Sequence, residues 1–574
     1  MGKLNITDDR AVYTGSSHWV TILEDIRRLK DELSADNDDE STIAASHAPT
    51  PFEEDILGML PPRKAVDRQV SHFFNAFDMA PFIIHRKTFL AEYANFWHNP
   101  SAAPIMWVGL LFAVLGISVL LQQQDFGSPG LGSAEVRNRL ETYRSATIHC
   151  LVAGDYLQQS SYTMETLSLH FALDHNYNTD THIGNWFLLG LVIRIAMRMG
   201  LHRDPSHWPN LRPLQAELRR RIWITLYQMD VFTSTQVGLP RIIKDSQCDT
   251  RPPAHLFEHD LGLEHNELPP ERPRDEPTAL LFIIERDAII KVAAEIYDTT
   301  EAGPPSPATI AVLDAKIRRG VEEMPAWLKY RTPEASVAEN PITILQQIFM
   351  DILVNKAIYL LHRRSFMKGA GGDDSARSDE ICIEAALAIL AHQRRMSEET
   401  QPGGLMFSVR WKVSSSLNHE LLQATMMLCF ALSRSNDGGG ASCEALPRRD
   451  DIVEALTHAR SHWEEIADQS VDARKATQAI AAVLRRDSDG STAQPKYQAG
   501  AGESFQDVDP CLAADFARFA PVSDIGGEPN YFGDFDYGPG MAAVGLDPSF
   551  FTVDNDLPTF ESMLDEFVAG QSKM

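Results

Sequence analysis

Residues 192–253 read VIRIAMRMGLHRDPSHWPNLRPLQAELRRRIWITLYQMDVFTSTQVGLPRIIKDSQCDTRPP, and this stretch decides the reading of the rest. It begins as an amphipathic helix that stops at Gly200, a residue type suited to the left-handed conformation that closes helices. A tight polar turn follows, Leu201-His202-Arg203-Asp204-Pro205. A long helix begins near Pro213, since proline is tolerated in a first helical turn. Glu217 and Arg221 lie one turn apart on it and form an i, i+4 pair. Gly238-Leu239-Pro240 ends the helix, and Cys248-Asp249-Thr250 leads to Pro252-Pro253.

Arg219-Arg220-Arg221 occupy successive helix positions, about 100° apart around the axis, so at least one turns inward. A nuclear-import or phosphate-contact patch is one reading of the triplet. Ion pairing within the fold is the favoured one, with Arg221 on Glu217 or Asp230 and Arg203 on a buried carboxylate.

Working outward, helical periodicity continues on both sides. Upstream, a helix is expected over 16–33, capped by Ser16 or Ser17, with a short seam of Trp19, Ile22, Ile26, Leu29 and Leu33. Val66, Val70, Phe73, Phe74 and Phe77 mark a helix after Pro61-Pro62. Thr88 is placed to cap another that carries Phe89, Tyr93, Phe96 and Trp97. Residues 105–121 are uncharged and strongly apolar. That length is at the bottom of the membrane-spanning range and no Lys or Arg flanks it closely, so it reads as a buried core helix. Further helices are expected over 136–157, 163–173 and 184–199, then near 278–298, 308–322, 341–364, 378–397, 412–434 and 449–484. Few runs alternate with period two, so the fold class is all-α.

The chain has 574 residues and a formal charge of −27. That acidity opposes a surface that binds nucleic acid throughout, which would carry a basic excess. The charge is concentrated. Residues 503–567 hold 14 acids and one base, and residues 24–55 hold 11 acids and three bases, which leaves about −6 on the remainder. The cysteines at 150, 248, 382, 429, 443 and 511 form no CxxC and no compact metal cassette. They read as reduced intracellular thiols. The N-terminus has no apolar signal-peptide core.

Motifs for catalysis fail on their context. His202-Arg203-Asp204 and Asp125-Phe126-Gly127 stand in the wrong order for a kinase, with no glycine-rich loop before them. Gly130-Leu131-Gly132 follows no strand and lacks a third glycine. Asp36-Asn37-Asp38-Asp39-Glu40 sits in a polar linker rather than on a helix facing a cavity. Pro205 interrupts His202, Asp204 and His207, so no helical metal pair results and a structural turn is the better reading. No catalytic, cofactor or metal residue emerges, and the chain does not read as an enzyme.

The quoted stretch resembles the middle homology region of fungal zinc-cluster transcription factors. The matching blocks are Gly200-Leu201-His202-Arg203-Asp204-Pro205, Glu217 with Arg219-Arg220-Arg221-Ile222-Trp223, Asp230, Gly238-Leu239-Pro240 and Cys248-Asp249-Thr250. Phe73-Phe74, Pro81, His85-Arg86-Lys87-Thr88-Phe89, Phe96-Trp97 and Gly15-Ser16-Ser17-His18-Trp19 also fit. The resemblance covers about residues 11–300 well and continues as helical pattern to about 480. It implies a large helical regulatory domain, nuclear action and control of RNA polymerase II transcription. Many such proteins in filamentous fungi sit among genes for secondary metabolism. The family reads DNA with six cysteines that hold two zinc ions. This sequence has no such cluster and no basic segment after one, so autonomous DNA binding is not expected: the DNA reader is either lost altogether, supplied by a partner, or carried on a segment preceding Met1.

Three regions follow: an amphipathic helix and acidic linker over 1–50, an all-helical regulatory domain over 51–486, and an acidic, aromatic tail of disordered composition over 487–574. In the tail, Phe560, Met563, Leu564 and Phe567 recur at i, i+3, i+4, i+7 among Glu561, Asp565 and Glu566. Acids keep such a segment soluble while its apolar face folds as a short helix into a coactivator groove. The expected partners are coactivators and a second copy or a DNA-binding relative. The competing readings are a corepressor or decoy that heterodimerises without touching DNA, and an all-α metabolic enzyme.

Overall fold

The computed structural model of the chain describes residues 3–6, 11–14 and 56–490, apart from 78, 124–133, 159, 178–182, 263–266, 277, 369–372, 413–416, 438–447 and 469. The expected helix over 16–33, its acidic linker, and Phe560, Met563, Leu564 and Phe567 lie outside the described residues.

Two short strands, β1 (Lys3–Ile6) and β2 (Ala11–Thr14), pair antiparallel with Lys3 opposite Thr14. Runs of four residues give too short a pattern for period-two alternation to register. All other regular structure described is helical. The first group is α1 (Arg63–Ala76), α2 (Ala80–Ile83), α3 (Arg86–Phe96), α4 (Ile105–Gln123), α5 (Ala134–Ala153) and α6 (Thr163–Tyr177). The second is α7 (Ile183–Arg198), α8 (Pro213–Val237), α9 (Ala279–Ala302) and α10 (Pro307–Glu323). The third is α11 (Pro341–Lys368), α12 (Asp373–Glu399), α13 (Asn418–Asp437), α14 (Arg449–Ile466) and α15 (Val471–Gly490).

The uncharged helix α4 is the axis of the first group. Every residue from Met106 to Leu120 is buried, with α1, α5 and α6 packed around it. A helix that is apolar on all sides needs such a surround. Two glycines on α4 set how close the neighbours come. A Cβ at Gly109 would lie 2.7 Å from the Cys150 Cβ on α5, and one at Gly116 would lie 2.9 Å from Leu173 on α6. The Thr166 hydroxyl on α6 donates to the Met106 carbonyl at 3.0 Å across the same contact.

Two further cores follow. One joins α6 to α11 through Leu189, Ile193, Trp223, Leu226, Ile290 and Leu353. The other joins α11 to α15 around Trp463, whose indole N–H donates to the Thr425 hydroxyl at 3.3 Å. Burying each large side chain contributes about 1.5–3 kcal/mol before the entropy of ordering it is subtracted.

Local expectations place most helices, but α5 stops at Ala153 and not at 157, α6 runs on to Tyr177, α12 begins at Asp373, and three further starts differ for a local reason. Gly200 and Gly238 close α7 and α8 with φ of 76° and 67°. The cap of α3 is His85, in extended conformation, and not Thr88, which lies inside the first turn with its hydroxyl 2.7 Å from His85 Nδ1. The helix expected from 412 begins at Asn418, after a 3-10 turn over Phe407–Lys412. The single helix expected over 449–484 is two helices, because Ser470 Oγ accepts the Ala473 amide at 2.9 Å and starts a new one.

Gly109→Ala is expected to lower the melting temperature, since overpacking a close contact costs about 1–3 kcal/mol. Gly58→Ala, with open space where its Cβ would stand, should leave it unchanged. Thermal melts followed by circular dichroism check both.

Candidate functional site

Three carboxylates of the motif stretch, Glu217, Asp204 and Asp230, hold its loops to helix α8, and a fourth, Asp249, ties two of those loops to each other. Glu217 is fully buried; Oε1 accepts from Arg221 Nε at 3.1 Å and Oε2 from the Ala254 amide at 3.2 Å. Arg221 Nη2 also donates to the Leu256 carbonyl at 3.4 Å, so the pair ties the segment after Pro252-Pro253 to the helix. Asp204 accepts from Arg220 at 2.9 and 3.0 Å, from the Ser206 amide at 3.0 Å and from the Arg251 amide at 3.0 Å. Burial alone would raise the Asp204 carboxyl, but hydrogen bonds from Arg220, Ser206 and Arg251 outweigh it and hold it far below the ordinary carboxylate range. Asp249 accepts from the Asp204 amide at 2.9 Å, His207 at 2.7 Å and Arg203 at 3.0 Å. Asp230 accepts the amides of Ile242 at 3.2 Å and Ile243 at 2.7 Å.

These contacts decide the open choices of the sequence. Arg221 takes Glu217 as its partner, and Asp230 is used by backbone amides instead. Arg203 pairs with the partly exposed Asp249, not with a buried carboxylate; the buried Asp204 is taken by Arg220 and Arg251. Arg219 donates to the Met199 carbonyl at the end of α7. The whole arginine triplet is therefore engaged inside the fold. The group of His202, Asp204 and His207 is a structural turn.

A different set of residues forms a cavity of about 540 Å³ where the three cores meet. Its walls come from α4 and α6, from α8 and α9, and from α11 and α13. Two lining residues, Asn176 and Asn340, are exposed, so the cavity reaches the surface. The lining is mostly apolar. Its ionisable members are Arg286, Lys356, Glu420 and His175. Lys356 Nζ pairs with Glu420 at 2.7 Å and donates to the Thr235 hydroxyl at 3.0 Å. Burial pushes His175 down toward the neutral form. Arg286 is the uncompensated cation. Its guanidinium lies 5.2 Å from the ring centres of Phe282 and Phe349 and 5.7 Å from that of Phe232. Its hydrogen bonds go to one neutral acceptor, Gln228 Oε1, at 2.8 Å from Nε and 2.5 Å from Nη2. The neighbouring Asp287 is paired with Lys291 at 2.8 Å. Desolvation pushes Arg286 down to about 10. The sequence offered one sign of this site, an arginine inside the apolar run ALLFIIERDAII. Phe282 lies one turn before Arg286 on α9, whereas Phe232 and Phe349 are brought to it from α8 and α11 with no sequence spacing to announce them.

Residues 70–299 match the fungal specific transcription factor domain. The Zn(2)-C6 fungal-type transcription factor mpsB of Macrophomina phaseolina is 37% identical over 520 residues, which cover 86% of this chain and 70% of that protein. The equisetin cluster transcription factor eqxF of Fusarium heterosporum is 32% identical over 508 residues, covering 84% of this chain and 73% of that protein. The Zn(2)-C6 fungal-type transcription factor pigI of Monascus ruber is 33% identical over 512 residues, covering 84% of this chain and 62% of that protein. No solved structure matches the chain. It belongs to the Zn(2)-C6 fungal-type transcription factor family. It is a transcription regulator rather than an enzyme, and the nucleus is its place of action.

The zinc that names the family does not fit the described residues. No three His, Cys, Asp or Glu among them converge as a metal site. Cys150 and Cys429 are buried thiols pushed up to about 12, Cys248 is pushed up to about 11, and Cys382 is raised further still, all by burial. A zinc site takes several converging thiolates or imidazoles, whereas these four sulfurs lie on four separate segments and burial opposes thiolate formation at each.

Two consequences are measurable. Arg221→Ala leaves Glu217 buried without its cation and should destabilise the body by about 3–5 kcal/mol. Loss of the exposed pair Arg63–Asp67 should cost less than about 1 kcal/mol. Denaturant melts of Arg221→Ala and Arg63→Ala give the comparison. The second concerns pH. Burial lowers His202 and His419 to about 4, so the folded state stays neutral where the unfolded chain takes up protons. Stability is then fully present above the unfolded histidine value of about 6.5 and falls as pH drops from there toward 4. Melting temperatures at pH 7.5, 6, 5 and 4.5 should decline in that order, with a shallower decline for His419→Asn.

Proposed function

We propose that this chain regulates RNA polymerase II transcription of a fungal secondary-metabolite gene cluster. The observation that supports it most directly is the naming of its relatives. The equisetin, pyrrolocin and fusarisetin A cluster transcription factors are 32%, 34% and 32% identical to it, each over 84% of this chain. In this proposal the helical domain over 51–486 is the regulatory body. Residues 487–574 are the activation segment, an acidic, aromatic stretch whose composition is that of a segment that folds upon its partner.

Phe560, Met563, Leu564 and Phe567 would form the face presented to a coactivator, with Glu561, Asp565 and Glu566 around it. DNA contact would come from a zinc-cluster segment or a DNA-binding relative paired with this chain. A corepressor or decoy role differs from this reading in the tail, which would then be silent.

Residues 487–574 fused to a heterologous DNA-binding domain should activate a reporter gene. Replacing Phe560, Met563, Leu564 and Phe567 together by alanine should remove most of that activity with the acidic charge unchanged. A silent wild-type fusion would favour the corepressor or decoy.

A further inference from the structure

We propose that the cavity at the meeting of the three cores binds a mostly apolar small molecule through a single anionic group that pairs with Arg286. The guanidinium has five N–H donors and stays charged at any physiological pH. Gln228 Oε1 accepts from Nε and Nη2, and no other hydrogen bond and no ion pair of Arg286 occurs among the described residues. Three donors are thus without a protein acceptor, on a side chain that is only 7% exposed and lines the cavity.

Burying a cation in this way is costly unless something pairs with it. The rings of Phe232, Phe282 and Phe349 offset part of that cost through their negative faces, but they accept no strong hydrogen bond. Among the described residues the other charges on the wall are Lys356 and Glu420, which cancel each other at 2.7 Å, so Arg286 leaves the cavity with a net positive charge. A carboxylate or a similar planar oxyanion matches the guanidinium fork. The body of the ligand would lie against Leu226, Met229, Phe282 and Phe349. A cavity of about 540 Å³ falls within the usual range for small organic ligands.

As a regulatory ligand such a molecule rests on the transcription-regulator reading, whereas its binding does not. The test is therefore made on the purified full chain, with no gene readout. The fluorescent anion 8-anilinonaphthalene-1-sulfonate is bound first and then displaced by decanoate or by decanol, which differ in charge and hardly in length. Decanoate should displace the probe at a concentration at least ten-fold lower than decanol. Arg286→Met, checked for native circular dichroism, should reduce that preference to within two-fold while decanol displacement persists. Leu226→Trp, which fills the cavity, should weaken both competitors.

Equal displacement by decanoate and decanol from the wild-type chain would overturn the proposal even if the arginine variant failed to fold. So would an Arg286→Met chain that kept the preference, or probe binding indifferent to the filled cavity. A failed reporter fusion would leave these binding results standing.

Discussion

A carboxylate with no solvent around it must find its partners within the fold, and Glu217 shows what that demands. Its two oxygens are met by Arg221 on the same helix and by the Ala254 amide from a loop 37 residues along the chain. Removing either charge alone would strand the other, so helix α8 and the loop after Pro252-Pro253 form together. Asp204 and Asp230 repeat the arrangement for the turn after Gly200 and for the segments at Ile242 and Arg251, and Asp249 ties that turn to its own segment. Loops that could wander are thereby held against one long helix. The position of α8 in turn sets where α7, α9 and the cavity wall lie.

Much of this was legible in the residues. Helix periodicity, the two closing glycines and the Glu217–Arg221 spacing are local signals, and the structure follows them. The apolar run around Leu111 could be assigned to a core because it carries no charge to hold it at a surface. What the sequence left open depends on choices between equivalent partners. Asp230 stayed open as a partner for Arg221 although it lies nine residues along the same helix and on its far side, and nothing local shows that the Ile242 and Ile243 amides would take it. His85 took the cap of α3 although Thr88 has the better side chain for one. Ser470 did carry a readable signal, a hydroxyl three residues before Ala473, but the strong periodicity on both sides masked the break.

The candidate cavity was harder to foresee for a geometric reason. Phe232, Phe282 and Phe349 come from three helices separated by loops of different lengths, and they meet only around Arg286. The motif residues that identify the family hold loops, with their charged groups either paired or hydrogen-bonded to backbone inside the fold. Residues that mark the fold and residues that line its cavity are thus different sets. A search for chemistry among the motif residues finds only structure.

The place of the cavity bears on what an occupant could do. Its walls belong to helices from all three cores, so a bound molecule touches elements that otherwise meet each other only through side chains. A ligand shifts a conformational equilibrium only by the difference in its affinity for the two states. An anion satisfies that condition here in a specific way. It gains its pairing with Arg286 only where the guanidinium is enclosed by the three rings, and an open arrangement that let water reach the cation would weaken the same pairing. Occupancy by the proposed anion would therefore favour the packing of α8, α9 and α11 in which the three rings enclose Arg286.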